Sequence, residues 1–330
     1  MAKRSNRVLV IGATGHAGQA IVRRALDSGR KVTAATRQAD PAALRGLDVA
    51  IARIDGEFRS LDELAGGHDL VVDAAAYYTL DLCVPGSPQW RRQVDGAVRR
   101  TERVIDAARR HKIPLAFVSS YGTLPRPDFL PGPDAALWRR MVCPYYEAKV
   151  AMEQAIRAAA SDGLRAVIVN PVAFVGPWQF RERWNFLELA LSGRLPLIID
   201  QAMSVIDVRD VAEAIDLALA REYFGRPIPL AGHNIRASDL VMRTARIGGV
   251  RTAPPLSVPG PLAAAGAYWL HMACTAVGMT PPDYLGLIAV TPELMPVERS
   301  PEQAALGVRI RPLEESLRDA VASYYGRPFS

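Results

Sequence analysis

The stretch "VLVIGATGHAGQAIVRRAL", residues 8–26, runs from an uninterrupted apolar segment through three glycines into an amphipathic pattern. Gly12, Gly15 and Gly18 fall at the spacing G-x-x-G-x-x-G, where a strand gives way to a helix. Glycine there permits a tight turn and lets backbone N–H groups approach a pyrophosphate, whose charge the helix N-terminus stabilises. The pattern predicts a dinucleotide site formed by Gly12, Thr14, Gly15, His16, Ala17 and Gly18, with His16 a solvent-facing member of the turn.

The same rhythm repeats along the first half. Apolar runs at 7–12, 31–37, 48–55, 69–76, 114–120 and 165–171 alternate with helical patterns such as "WRRQVDGAVRRTERVIDAARRH" at 90–111. Strands that are apolar throughout and separated by helices mark a parallel sheet covered on both faces. The expected fold is α/β, a Rossmann-type doubly wound parallel sheet over residues 1–170. After Pro171, prolines and aromatics crowd into "NPVAFVGPWQFRERWNF" and "RTAPPLSVPGP". Residues 171–330 are expected to form a smaller substrate-binding region, with 205–233 packing back onto the first domain.

Composition narrows the function classes. The chain has 330 residues, 49% of them hydrophobic, and a net charge of +6 without any run of five like charges. Such dispersed arginine reads as solvated surface and argues against a nucleic-acid partner. Cys83, Cys143 and Cys274 are far apart and form no C-x-x-C pair, which suits the cytoplasm and neither a disulfide framework nor a zinc site. The five histidines lack ligand spacing, so no metal is expected. The opening "MAKRSNRVLVIG" has too short an apolar run for a signal peptide. "LAAAGAYWLHMACTAVGM", 262–279, reads as a buried or substrate-covering helix, not an integral membrane span.

The end of the second strand selects the cofactor. Thr36 and Arg37 stand where an NAD site usually has a carboxylate, and an arginine can pair with a 2′-phosphate through two N–H bonds. NADP(H) is therefore the expected cofactor, with NAD(H) the alternative. Asp55 and Gly56, after the third strand, are candidates for the adenine edge.

"YYEAK", 145–149, places Tyr145 and Lys149 one helical turn apart, after Pro144 in a first turn and before a stop at Gly163. Only four of the basic residues are lysines, so about 0.12 such Tyr-x-x-x-Lys pairs are expected by chance. An ammonium ~4 Å from a phenolate, at an effective dielectric of ~20, stabilises it by at most about 4 kcal/mol. That is close to three pK units, enough to bring a phenol from ~10 toward 7. "FVSSYG" then supplies a serine at the end of the fifth strand, Ser120 in preference to Ser119, to hydrogen-bond a carbonyl oxygen.

Together the glycine turn, "SSYG", Y-x-x-x-K and "NPVAFVGP" (170–177) resemble the extended branch of the short-chain dehydrogenase/reductase superfamily. "LRGLDVAIARIDGEFRSLDELAGGHDLVVDAAAYYT" and the "RPLEESLRDAVASYY" ending are similar to its dihydroflavonol-reductase-like and hopanoid-associated sugar-epimerase-like subgroup. The resemblance implies catalytic roles for Ser120, Tyr145 and Lys149; Tyr145 and Lys149, with Ser119, also face the cofactor. It further implies cofactor contacts from Ala74, Ala75, Ala76, Pro171 and Val172, and a homodimer. Two departures stand out: the family's "N-V-x-G-T" reads "QVDGA", with Gln93 and Ala97, and its "H-V-D-D-V-A" reads "DVRDVA", with Asp207 and Arg209.

The leading expectation is reduction of a small-molecule ketone: hydride from NADPH, a proton from Tyr145, orientation by Ser120. Tyr77, Tyr121, Trp178, Phe180 and Trp184 are candidate substrate-binding rings and favour a flat or apolar molecule. The alternatives are a nucleotide-sugar epimerase or hydroxysteroid-dehydrogenase-like enzyme using the same residues, and a non-catalytic dinucleotide-sensing protein.

Overall fold

Seven parallel strands form the main sheet in the order β10-β6-β5-β4-β1-β2-β3. The computed structural model describes residues 6–38, 41–75, 86–124, 144–179, 186–193, 197–282, 285 and 295–329. The strands are β1 (Arg7–Ile11), β2 (Lys31–Thr36), β3 (Val49–Arg53), β4 (Leu70–Asp73), β5 (Leu115–Val118), β6 (Ala166–Pro171) and β10 (Pro227–Leu230). Between the first six lie α1 (His16–Asp27), α2 (Leu61–Ala65), α3 (Pro88–Arg110) and α4 (Pro144–Ser161). The doubly wound α/β expectation is correct, and the six apolar runs of the first half are its first six strands.

The central strands of the sheet are dry on both faces, whereas the edge strand β3 is partly exposed. On β1, Val8 and Val10 point into a core shared with α1, while Leu9 and Ile11 point into the opposite core with α3 and α4. Alternation of side chains along a strand makes this division, and burial on both sides explains why the strand reads as unbroken apolar sequence. The chain winds one way from β1 to β3 and the other way from β4 to β6. A crevice opens beyond the carboxyl ends of β1 and β4, where such sheets bind ligands.

The second half contributes a three-stranded sheet, β11-β9-β7, from β7 (Ala173–Val175), β9 (Ala202–Asp207) and β11 (His233–Arg236). Smaller elements are α5 (Phe186–Ser192), a two-stranded pairing of β8 (Leu197–Ile198) with β12 (Leu256–Ser257), α7 (Ala237–Ile247) and α9 (Pro301–Leu306). The stretch 205–220 ends β9 and continues as α6 (Val208–Ala220), which packs against α1 and β6. Arg209 pairs with Asp207 at 2.8 Å and with Asp319 of α10 (Leu313–Tyr324) at 2.7 Å. "DVRDVA" is thus a clamp between α6 and the C-terminal helix. Burial alone would raise the Asp207 carboxyl, but the Arg209 hydrogen bonds and charge hold it below the usual range.

One part of an expectation, that residues 262–279 form a buried helix, fails. Residues 260–276 form a helix, α8 (Gly260–Ala276), but it is not buried: Leu262 is 65% and Trp269 69% exposed. Its apolar residues lie all round the axis among alanines, and only Ala267, at 4% exposure, is fully covered among its described side chains. None of the helices among the described residues is long and apolar enough to cross a membrane.

Arg209→Ala should destabilise the protein by roughly 3 kcal/mol in urea unfolding, because it strands two buried carboxylates. Asp207 has a folded pKa below its unfolded value of ~3.9, so the clamp's contribution is complete above that pH and lost as pH falls through the folded value. The deficit of Arg209→Ala relative to wild type should shrink accordingly in acid.

Candidate functional site

The three glycines of the first turn meet different constraints. Gly12 has φ +79°, and a Cβ there would lie 2.7 Å from the Ala75 nitrogen, so the turn rests directly on the backbone leaving β4. A Cβ on Gly18 would overlap the Gly12 carbonyl, which fixes how closely α1 packs on β1. Gly15 caps α1, donates to Gly12 O at 3.0 Å and is exposed. Thr14 lies half-buried beside it, and Ala74 and Ala75 line the same crevice. This is a backbone cradle open at a helix N-terminus, the arrangement a phosphate requires.

His16 is not solvent-facing: it is 3% exposed, with Nε2 2.9 Å from Pro177 O and its ring edge-on to Phe174. Its partner comes from 161 residues away, so the turn sequence carried no sign of it. Gln19 donates to Trp178 O at 2.9 Å, and the Arg23 guanidinium lies 4.5 Å from the Trp178 ring centroid. Trp178 also donates its N–H to Ser323 Oγ at 3.0 Å and packs on Phe329. The structure therefore places Trp178 between α1 and the C-terminal segment.

At the far end of the crevice Arg37, Arg53, Asp55, Gly56 and Arg59 line a cleft of about 550 Å³. Arg37, Arg53 and Arg59 are all exposed. The last two were missed in the sequence, because nothing in an arginine-rich chain distinguishes them. Buried Thr36 accepts at Oγ1 from Gln38 N, 3.1 Å away. Asp55 accepts from the N–H groups of Arg59 and Glu57 at 3.0 and 3.1 Å, which lowers its pKa. Its carboxylate shapes the loop that walls the cleft.

Lys149 of α4 reaches the ends of β4 and β5, beside the turn that carries Ser120. Lys149 is 1% exposed, donates to Val118 O at 2.9 Å and sits 5.0 Å from the Phe117 ring centroid. Burial lowers its pKa to about 8, against the opposing charges of Asp73 and Glu153. Asp73, last residue of β4 and likewise buried, is pushed up to about 6 by burial, opposed by the Ala75 N–H and the Lys149 charge. Neither carboxylate stood out in the sequence, since a strand-end Asp and a helix Glu are ordinary surface residues.

The two serines separate. Ser119 is buried with Oγ 2.5 Å from Glu153 Oε2, whereas half-buried Ser120 accepts from Gly122 N at 3.2 Å, leaving its hydroxyl hydrogen to point elsewhere. Tyr121 opens the single helical turn Tyr121–Thr123 just beyond. Tyr145 and Tyr146 meet edge-on with centroids 5.1 Å apart. Tyr146 lies over Gly122, where a Cβ would come within 2.7 Å of its Cδ1, so that glycine makes room for the ring. Pro171 ends β6, and Val172 donates to Leu230 O at 3.1 Å. Gln93 of α3 is 6% exposed. Ala76, Tyr77, Phe180, Trp184, Cys83 and Cys143 lie outside the described residues. Among the described residues, no group of three or more His, Cys, Asp or Glu is placed to hold a metal ion.

Comparison with known proteins gives the chain's family. Residues 8–228 match the model of the NAD dependent epimerase/dehydratase family. "Sterol demethylase protein B" of Methylococcus capsulatus is 30% identical over 268 residues, 76% of this chain and 77% of that protein. "Putative dihydroflavonol 4-reductase" of Synechocystis sp. is 24% identical over 327 residues, 94% and 92% of the two chains. The crystal structure of gox2253 has a TM-score of 0.77 at 25% identity, covering 97% of this chain and 98% of the other.

Gly18→Ala should weaken binding of a reduced nicotinamide dinucleotide on the order of tenfold or more in a fluorescence titration, as α1 is forced off the turn. Gly96→Ala, whose Cβ would meet its nearest neighbour at an ordinary 3.7 Å, should leave that affinity unchanged.

Proposed function

The chain belongs to the NAD-dependent epimerase/dehydratase family, and we propose that it is an NADPH-dependent reductase of an apolar ketone, with Tyr145 as proton donor. The observation that carries this reading is the buried Lys149 ammonium: one helical turn from Tyr145, it is tied to Val118 O, two residues before Ser120. The residues present fit the cofactor, since Gly12 and Gly18 form a cradle that any Cβ would fill.

When bound, the nicotinamide supplies hydride to the carbonyl carbon. The chain manages the oxygen. As negative charge develops there, Tyr145 Oη donates its proton and Ser120 Oγ donates a hydrogen bond to the same atom. Lys149 stabilises the phenolate that forms, and with a pKa of about 8 it is still an ammonium at neutral pH. Turnover should therefore fall as pH rises through that value.

The preference for NADPH rests on Arg37, with Arg53 and Arg59 in the same cleft and no carboxylate at the end of β2. Guanidinium groups recognise a phosphate through paired N–H bonds. An apolar, polycyclic substrate is supported by the names of the two relatives, a sterol demethylase component and a dihydroflavonol reductase. Tyr121 follows Ser120 in the chain and is the ring we assign to that substrate, while Trp178 is engaged by Arg23 and Phe329. A second reading, epimerisation by oxidation and return of hydride to the other face, draws support from the family's description. It requires a cofactor that copurifies and does not exchange.

With a ketone found by screening sterol and flavonoid carbonyls, Tyr145→Phe should lose ~10² to 10⁴ in turnover while binding NADPH normally. Near-normal turnover would remove the assignment. Arg37→Ala should raise the NADPH Kd about tenfold and leave NADH within about twofold, both read by fluorescence titration.

A further inference from the structure

Below the candidate site, donors from three separate parts of the chain converge on one carboxylate oxygen. Ser119 Oγ lies 2.5 Å from Glu153 Oε2 and Asn170 Nδ2 2.7 Å, while Thr123 Oγ1 lies 2.6 Å from it and 2.7 Å from Ser120 O, its one hydroxyl hydrogen serving either acceptor. Ser119 follows β5, Thr123 belongs to the turn beyond it, and Asn170 is near the end of β6. Glu153 is 3% exposed and follows Lys149 by four residues on α4, so Tyr145, Lys149 and Glu153 form one stripe along the helix. A buried carboxylate is costly unless its hydrogen bonds are made, and charge-assisted bonds of this length are the strong kind.

The three donors bracket Ser120. Its two neighbours in the bonding pattern, Ser119 and Thr123, are fixed to Glu153, and Asn170 Nδ2 also reaches Ser120 O at 3.3 Å. Gly122 N then holds Ser120 Oγ within the turn so defined. Resting on the reading of Tyr145, Ser120 and Lys149 given above, we propose that Glu153 is the positioning residue of the site. It holds the turn that carries Ser120 against the helix that carries Tyr145 and Lys149. Glu153 touches neither substrate nor cofactor in this role. Its charge has a second effect, because it favours the ammonium form of Lys149. Among the described residues, the charges acting on that ammonium are Glu153 on α4 and Asp73 on β4, with Arg100 of α3 acting on Asp73 and Tyr145 one helical turn away on α4.

The test compares full-length wild type, Glu153→Gln, Ser119→Ala and Tyr145→Phe. It measures steady-state ketone reduction, NADPH titration and the ultraviolet titration of Tyr145, taken as the difference from the matching Tyr145→Phe protein. Glutamine keeps the shape and an acceptor oxygen but removes the charge. Glu153→Gln should lower kcat ~10- to 100-fold, leaving KM and NADPH affinity within about threefold, because it misplaces Ser120 and not the binding surfaces. It should also raise the apparent pKa of Tyr145, since Lys149 loses its proton more readily. Ser119→Ala, which removes one donor and keeps the charge, should lower kcat less and leave the Tyr145 titration in place; it also serves if Glu153→Gln folds poorly. In the double variant the Ser119 change should add little, because both act through one contact. Wild-type kcat and an unshifted Tyr145 titration in folded Glu153→Gln, beside an inactive Tyr145→Phe, would overturn the role of Glu153 alone. Full turnover in Tyr145→Phe would overturn the reading of the site, and the Glu153 role with it.

Discussion

A lysine ammonium at 1% exposure is the constraint around which the site is organised. Removing such an ion from water costs several kcal/mol even after relaxation, so the surrounding structure must supply what water did. Here the Val118 carbonyl accepts from it, the Phe117 ring lies 5.0 Å away, and Asp73 and Glu153 provide opposite charge. Asp73 belongs to β4 and Phe117 and Val118 to its neighbour β5, next to the switch point of the sheet, and Glu153 to the helix carrying Lys149 itself. The cation thus dictates that helix α4 and the ends of β4 and β5 have one relative placement. Tyr145, one helical turn before Lys149, takes its place in the fold from that requirement.

The sheet was legible in the sequence because a strand dry on both faces has no polar positions to write. The glycine turn was legible for a similar reason: Gly12 and Gly18 meet backbone at distances no Cβ tolerates, so the constraint appears directly as residue type. Tyr145 and Lys149 were legible through helical spacing. Glu153 continues that spacing, yet an isolated glutamate on a helix reads as solvated surface until its three donors are seen together. Those donors are scattered from Ser119 to Asn170, and no local pattern joins them. Helix α8 misled in the opposite sense. Its composition is that of a buried segment, but composition without one-sidedness does not say what covers a helix.

The departures "DVRDVA" and "QVDGA" have different weights. The first is accounted for: Asp207, Arg209 and Asp319 form a buried charge cluster that replaces a local motif with a long-range tie between α6 and α10. Nothing in the structure explains Gln93 in place of the asparagine.

The phosphate turn and the C-terminal segment behave as one mechanical unit. His16 and Gln19, in the first turn of α1, hold the carbonyls of Pro177 and Trp178. Trp178 in turn is held by Ser323 of α10 and packs on Phe329. Arg209 fastens α10 to α6, and α6 packs on α1. The path closes on itself: from helix α1, through the loop after β7, through the last helix, and back to the first. A helix N-terminus binds an anion well only if its N–H groups keep one direction, and this ring of contacts fixes that direction from the side away from the ligand. The buried histidine inside the glycine turn belongs to this bracing. It is the point at which the second half of the chain sets the aim of the first.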